Sequence, residues 1–176
     1  MIWQPSHRGD PFACDIADRH YNRQKVGSPQ CAPPGSCCVL KALTPTGRAF
    51  WITSAPFAEY VKHDWAGAWV CSAFRNEGAG QASEMIRDAV AASLWHYSGV
   101  APALGMVTFL DREQVRPTMV RGKPVWGWTW LKAGFRHVGW TRRKRNPLMT
   151  FQLLPHEMPP PSPPIGLTAE LFGEAA

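Results

Sequence analysis

Ala68-Trp69-Val70-Cys71-Ser72-Ala73-Phe74-Arg75-Asn76-Glu77-Gly78-Ala79-Gly80-Gln81-Ala82 is the stretch whose reading decides the fold. Ala68 to Phe74 is apolar enough for a strand central in a sheet, covered on both faces. Glycines at 78 and 80 end it. Ala82 to Tyr97 then reads as a helix: Met85, Ala89, Ala92 and Trp95/His96 keep one stripe, and Ser98-Gly99 stops it. A strand entering a helix through two glycines carries chemistry. Glycine lets the main chain approach a ligand closely, and the amides of roughly Glu77 to Gln81 would gather at a helix N-terminus as a nest for a pyrophosphate, with Arg75 at its rim. Two nucleotide patterns are excluded. A Walker loop needs Gly-Lys-Ser/Thr where Gly80-Gln81-Ala82 stands, and a dinucleotide loop needs a first glycine where Arg75 stands. A plain structural corner is the alternative reading of the turn.

Upstream, Asp10-Pro11 is a helix start, an acceptor at the N-cap followed by proline at the first helical position. Phe12, Ile16 and His20 recur on one face, which predicts a helix ending near Tyr21-Asn22. Arg23 to Gly35 reads as loop. Cys37-Cys38-Val39-Leu40 opens a strand, Thr44-Pro45-Thr46-Gly47 turns it, and Ala49-Phe50-Trp51-Ile52-Thr53 returns. A loop from Ser54 to Gly67 holds Tyr60, Lys62, His63, Asp64 and Trp65. Downstream come a buried strand over Ala103–Leu110, closed by Asp111, and a basic loop from Arg112 to about Trp126. A short helix near Gly127–Ala133 follows, then strands near Phe135–Thr141 and Leu148–Leu154 joined by Arg142-Arg143-Lys144-Arg145-Asn146-Pro147. Six prolines within the ten residues from Pro155 predict a mobile tail over 155–176. The element order predicts one mixed α/β domain over residues 1–154.

Charge is uneven along the 176 residues. The net is +6, yet residues 112–145 hold ten of the nineteen Lys and Arg against one acid, Glu113, so that segment carries +9 and the remainder −3. Trp126, Trp128, Trp130 and Trp140 are interleaved with Arg121, Lys123, Lys132, Arg136, Arg142, Arg143, Lys144 and Arg145. Cations suit phosphates and flat rings suit unstacked bases, so DNA, double-stranded or locally unpaired, is the expected partner. A solvated basic face, with rings filling the core, is the other reading. Five cysteines without a C-x-x-C pair, no secretory signal and no membrane-length apolar run predict a reduced, cytoplasmic protein. Cys31, Cys37 and Cys38 fit no common zinc spacing. Asp111, at a strand's C-terminal end, is a candidate base, or a cap on the basic loop. His20 is a candidate base or a core histidine, and His63 with Asp64 is either a pair or surface.

The turn Arg75-x-x-Gly78-x-Gly80 resembles the Q/R-x-x-G-x-G/A signature of the GNAT acyltransferase family. Trp130-Leu131-Lys132-Ala133-Gly134-Phe135-Arg136-His137-Val138-Gly139 looks like that family's later Y-x-x-x-G-F-x-x-x-G segment, and the match covers about residues 36–154. The resemblance implies a GNAT fold with a splayed sheet. It implies acetyl-CoA, or another acyl-CoA, between the Trp69–Phe74 and Leu104–Leu110 strands, on Phe74, Arg75, Asn76, Glu77, Gly78, Ala79 and Gly80. An amide near Ala73 or Phe74 would polarise the thioester carbonyl. Trp130 stands where the family often has a proton-donating Tyr, which leaves Tyr21, Tyr97, water or no acid at all.

The chain is also similar to a phage branch of GNAT proteins related to Mom, which modifies adenine in DNA. Asp18-Arg19-His20-Tyr21, Phe109-Leu110-Asp111, Val61-Lys62-His63-Asp64-Trp65 and Trp69-Val70-Cys71 carry that likeness. It implies His20, Tyr21 and Asp111 as catalytic residues. The group's later Tyr falls at Trp130, so an iron site on those three residues would lack its fourth member, and no metal is expected. The implied activity is acetylation of an amino group on a hypermodified base of phage DNA in the host cytoplasm. DNA-facing residues are expected at Arg121, Lys123, Trp126, Trp128, Arg142, Arg143, Lys144 and Arg145. A GNAT acting on a protein or small amine, or a non-catalytic DNA-binding module, are the alternatives.

Overall fold

The computed structural model describes residues 1–32, 34–56 and 64–166; Tyr60, Val61, Lys62 and His63 of the second loop lie outside them. The elements in chain order are β1 (Gln4–Ser6), α1 (Pro11–Ala17), β2 (Cys37–Thr44), β3 (Gly47–Ser54), β4 (Trp69–Glu77), α2 (Ala82–His96), β5 (Met106–Leu110), β6 (Thr118–Val120), β7 (Lys123–Val125), α3 (Trp128–Lys132), β8 (Arg136–Trp140) and β9 (Met149–Leu153). Seven strands form one sheet in the order β1-β2-β3-β4-β5-β9-β8, and β6 and β7 pair separately. β4 and β5 are the one parallel pair of that sheet. The architecture is therefore mixed α/β with a large, mostly antiparallel sheet and few helices.

Alternation of side chains along each strand builds two cores. Cys38, Leu40 and Ala42 of β2 and Ala49 and Trp51 of β3 face α2, joined by Met85, Ile86, Ala89, Val90 and Ala92. Val39, Phe50 and Ile52 face the other way, against Ala13, Ile16 and Ala17 of α1. β3 is consequently buried without interruption from Ala49 to Thr53, the pattern of a strand covered on both faces. Inside the larger core, Ser93 Oγ donates to the Ala89 carbonyl at 2.7 Å and lies 3.2 Å from Trp51 Nε1, so the indole N–H is not left unpaired.

Four sequence expectations are corrected. α1 ends at Ala17, before His20, because Asp18 stops it: its carboxylate accepts Arg23 Nε at 2.7 Å and the Gly27 amide at 2.8 Å, closing the chain into a loop. β4 runs on to Glu77, so Arg75, Asn76 and Glu77 belong to the strand and the turn itself is Gly78 to Gln81. The basic loop contains the β6–β7 hairpin, which Arg121-Gly122 turns with φ 49° and 77°; an arginine there gives no turn signal in the sequence. Residues 155–166 lie against the domain: the Ser162 amide donates to the Ala91 carbonyl at 3.1 Å and Ile165 to that of Trp3 at 2.8 Å, with Pro164 buried. Residues 167–176 lie outside the described part. β1 is too short to show as a strand in the sequence; it is fixed by pairing with β2. Among the described residues no helix is long and apolar enough to cross a membrane.

Candidate functional site

β4 and β5 are hydrogen-bonded neighbours for only three residue pairs, Trp69↔Met106, Val70↔Val107 and Cys71↔Thr108. The reason lies on the opposite edge of β4. There the register with β3 skips Ser72, since Ile52 pairs with Ala73 and Thr53 with Cys71. One extra residue bends a strand and increases its twist. Beyond the bulge β4 follows β3 up to Asn76, while β5 stays with β9 to Leu110. The gap between Ser72–Phe74 and Thr108–Leu110 is a cavity of about 150 Å³. Trp130 lines it, half-buried, with its ring 6.0 Å from Phe74 and 5.0 Å from Phe135, and so packs against the core.

The segment after α1 crosses the mouth of that gap. Asn22 Nδ2 donates to the Ser72 carbonyl at 2.7 Å on the β4 side, and Tyr21 Oη donates to the Phe109 carbonyl at 3.4 Å on the β5 side. His20 stacks on Tyr21 with ring centres 4.6 Å apart and meets Asn22 through Nδ1. Burial lowers the imidazole pKa from 6.5, opposed by contacts with the Asn22 side chain and the Phe74 backbone, with the Arg75 charge acting downward. The ring is therefore neutral near pH 7 and free to accept a proton. Burial raises the Tyr21 phenol above its ordinary value, so it stays protonated. Tyr97 is removed from the gap; its hydroxyl donates to the Thr53 carbonyl at 3.1 Å.

Asp111 sits one residue beyond β5. One carboxylate oxygen accepts the Glu113 amide at 2.9 Å, and the other accepts Asn146 Nδ2 at 2.8 Å from the β8–β9 connection. A second cavity, of about 480 Å³, has Asp111, Arg143 and Gln114 on its wall and shares Tyr21, Ser72 and Phe109 with the first. His20 and Tyr21 thus line the first cavity and Tyr21 and Asp111 the second, with Tyr21 on the wall of both. Asn22 and Asn146 were not singled out in the sequence, where loop asparagines give no distinguishing signal. Cys71 also borders the larger cavity, but burial holds its thiol well above the ordinary range, so it is no nucleophile. Among the described residues no three His, Cys, Asp or Glu gather as metal ligands.

At the far end of β4, Gly78 has φ 88°, and Thr46 Oγ1 donates to its carbonyl at 2.8 Å. The Ala79 amide is occupied by Asn76 Oδ1 at 2.9 Å, and Asn76 Nδ2 donates to the Gly80 carbonyl at 2.8 Å. The amides of the first turn of α2 have no acceptor within the helix, and Gln81 at the N-cap makes no side-chain cap. The Ala79 amide is thus already taken, and the main-chain donors left at this turn lie at Gly80 and in the first turn of α2.

Arg75 does not rim this turn. It lies on the α1 face, where Glu77 gathers three guanidiniums: Arg19 Nε and Arg75 Nε each at 2.8 Å and Arg48 Nε at 3.0 Å. Arg19 first, then Arg75 and Arg48, hold the Glu77 carboxyl down to about 2 against the effect of burial. The depressed value means that Glu77 stabilises the fold above pH 4.5, and that this contribution is lost as pH falls towards 2. Glu77→Gln is expected to cost roughly 1–3 kcal/mol at pH 7. In urea unfolding the gap from the native chain should close between pH 4.5 and 2; a gap constant with pH would refute the charge account.

The cations of 112–145 are all exposed. Ion pairs among the described residues take up two of them, Arg136 with Glu157 and Arg142 with Asp64. Arg121 and Lys123 stand on the β6–β7 hairpin, Arg143, Lys144 and Arg145 on the β8–β9 connection, and Trp128 is half-buried on α3. Trp126 and Trp140 flank Arg112, whose guanidinium lies 4.9 Å from the first ring centre and 5.9 Å from the second. No protein-family model, no curated protein and no solved structure matches this chain.

Proposed function

We propose that the chain is an acyl-CoA-dependent N-acyltransferase of GNAT type whose acceptor is an amino group on a DNA base. The observation that carries this reading is the parting of β4 and β5 at the Ser72 bulge, on a strand that leads through a glycine turn into the N-terminus of α2. A gap between parallel strands exposes main-chain donors and acceptors on β4 that a pantetheine arm pairs with. The fit at the other end is to the donor's diphosphate, through the Gly80 amide and the uncapped first turn of α2. Bound acyl-CoA supplies the acyl group as a thioester.

This chain's residues then do three things. The β4 main chain near Phe74 orients the carbonyl. Asp111, with neutral His20 in the adjoining cavity, takes the proton that the acceptor nitrogen gives up as it is acylated. Tyr21, kept protonated, would turn its hydroxyl from the Phe109 carbonyl to the departing sulfur in place of the Tyr that Trp130 replaces; a thiol of pKa about 8.5 needs little help. The DNA half of the proposal rests on the +9 segment, which borders the Asp111 cavity through Arg143.

Incubation with radiolabelled acetyl-CoA and DNA carrying aminomethylated pyrimidines or ordinary bases, followed by nucleoside mass spectrometry, tests the activity. Acetylated nucleoside is the expected product. Calorimetric CoA binding with label entering only small amines or peptides would leave a GNAT with a different acceptor. No CoA binding at all would leave a DNA-binding module. DNA affinity should fall steeply with salt, with a slope near −0.9 per phosphate contact.

A further inference from the structure

We infer that Arg112, Trp126 and Trp140 form a stacking slot for one unpaired nucleobase beside the catalytic space. The inference rests on the proposal of a DNA acceptor and specifies the form in which that DNA is held. Three independent features meet at the slot. First, Trp140 is 45% exposed, among the largest apolar groups left in water. Its ring borders an open cleft of about 740 Å³ that Trp126, Arg112 and Asn146 also line.

Second, the slot is pre-set. Trp126 Nε1 donates to the Arg112 carbonyl at 3.2 Å, which fixes one ring, and His137 stands edge-on to Trp140 at 5.6 Å and 84°, which steadies the other. The Arg112 guanidinium lies over both rings, so a base that enters takes its place against them and leaves the cation to meet the adjoining phosphate. Rings held in place with a delocalised cation suit a planar, electron-rich heterocycle next to a phosphate. An acidic peptide would use the cations but has no flat ring to exchange for the guanidinium on the indoles.

Third, the slot is wired to the site. Asn146 lines the cleft and donates to Asp111, and Arg112 is the next residue in the chain. Trp140 also borders a neighbouring cavity of about 490 Å³, which shares Phe109, Arg143 and Leu148 with the Asp111 cavity. A base withdrawn from a duplex and stacked here would place its neighbouring nucleotide towards Asp111, past the walls these cavities share. A duplex with every base paired offers no free face to the slot, so the acceptor strand is engaged where it is locally unpaired.

The test is fluorescence anisotropy with labelled DNA of roughly twelve nucleotides, as an oligothymidine, a matched duplex and a duplex with one central mismatch. The full chain should bind the oligothymidine and the mismatched duplex several-fold tighter than the matched one. Trp140→Ala, at an exposed position, should lower affinity for the unpaired substrates by roughly tenfold and barely alter matched-duplex binding. Trp126 packs partly against the core, so Trp126→Leu, which keeps apolar bulk without the aromatic face, is its companion, with thermal melting to confirm folding. Equal binding of all three DNAs, or unaltered affinity in both folded variants, would overturn the slot while the DNA acceptor stands. Absence of DNA binding by the native chain would remove both.

Discussion

Asp111→Asn is expected to lower the rate of acyl transfer by a factor on the order of 10² to 10⁴, with donor binding unchanged. The substitution removes the negative charge and keeps the shape. An amide oxygen can still accept the Glu113 amide, and Asn146 can turn its own amide to present an oxygen, so both structural contacts survive. What is lost is the basic oxygen facing the cavity shared with Tyr21. The contacts proposed for the donor lie on β4 and at the start of α2, on elements Asp111 does not touch. Calorimetric CoA titration beside steady-state rates separates the two. Loss of CoA binding and activity together would assign Asp111 a structural role, and an unaltered rate would remove it from the chemistry.

The pH profile follows from His20. Its folded pKa lies below the ordinary 6.5, so the ring is neutral over the physiological range. The rate should hold on acidification through pH 6.5 and decline only below it, as the folded ring takes a proton. Stability moves in the same direction. The unfolded chain protonates first, so the fold weakens as pH falls from 6.5 through the folded value. Thermal melts in the buffers used for kinetics therefore distinguish a catalytic limb from unfolding. His20→Gln should abolish the limb at pH values where the chain remains folded.

How much of this the sequence displays depends on the range of the interaction. The Asp10 cap, the return strand after Gly47, the Ala82–His96 helix and the short helix before Phe135 are written in local patterns, and each stands where those patterns put it. The glycine turn was visible too, but not its contents. Asn76 looks like one more turn residue, yet its side chain occupies the Ala79 amide and shifts the free donors towards α2. The Ser72 bulge has no sequence signal, because only the pairing of β3 with β4 defines it. His20 fell on an apparent helical stripe because Phe12 and Ile16 precede it at a four-residue spacing; Asp18, bonded to Arg23 and Gly27, ends the helix first. Arg75 matched a signature by type and position, while its partner Glu77, two residues on along the strand, places its charge on the other face. Local periodicity is legible in one chain; contacts between distant segments and the direction of long polar side chains are not.

Gly47→Ala should destabilise the protein by about 3 kcal/mol or more and abolish donor binding in whatever fraction stays folded. A methyl group at Gly47 would stand 2.0 Å from the Glu77 carbonyl oxygen and 2.7 Å from the Gly78 carbonyl carbon. Both neighbours are backbone, so relief requires the end of β4 to move away from β3. Glu77 would then leave its three arginines, and Gly78 would lose the hydrogen bond from Thr46. Gly80 is the contrasting position. A methyl group there meets Met85 and Ile2 side chains at 3.5 and 3.6 Å, ordinary packing distances, at a backbone angle that needs no glycine. Gly80→Ala should therefore fold with near-native stability, and any loss of CoA affinity it shows reports on the ligand's approach to the main chain. Urea unfolding and CoA calorimetry on the two variants separate the scaffold role of the turn from its binding role. Equal stability for both would mean that β3 does not hold the turn in place, and unaltered CoA binding in Gly47→Ala would move the anion seat away from the start of α2.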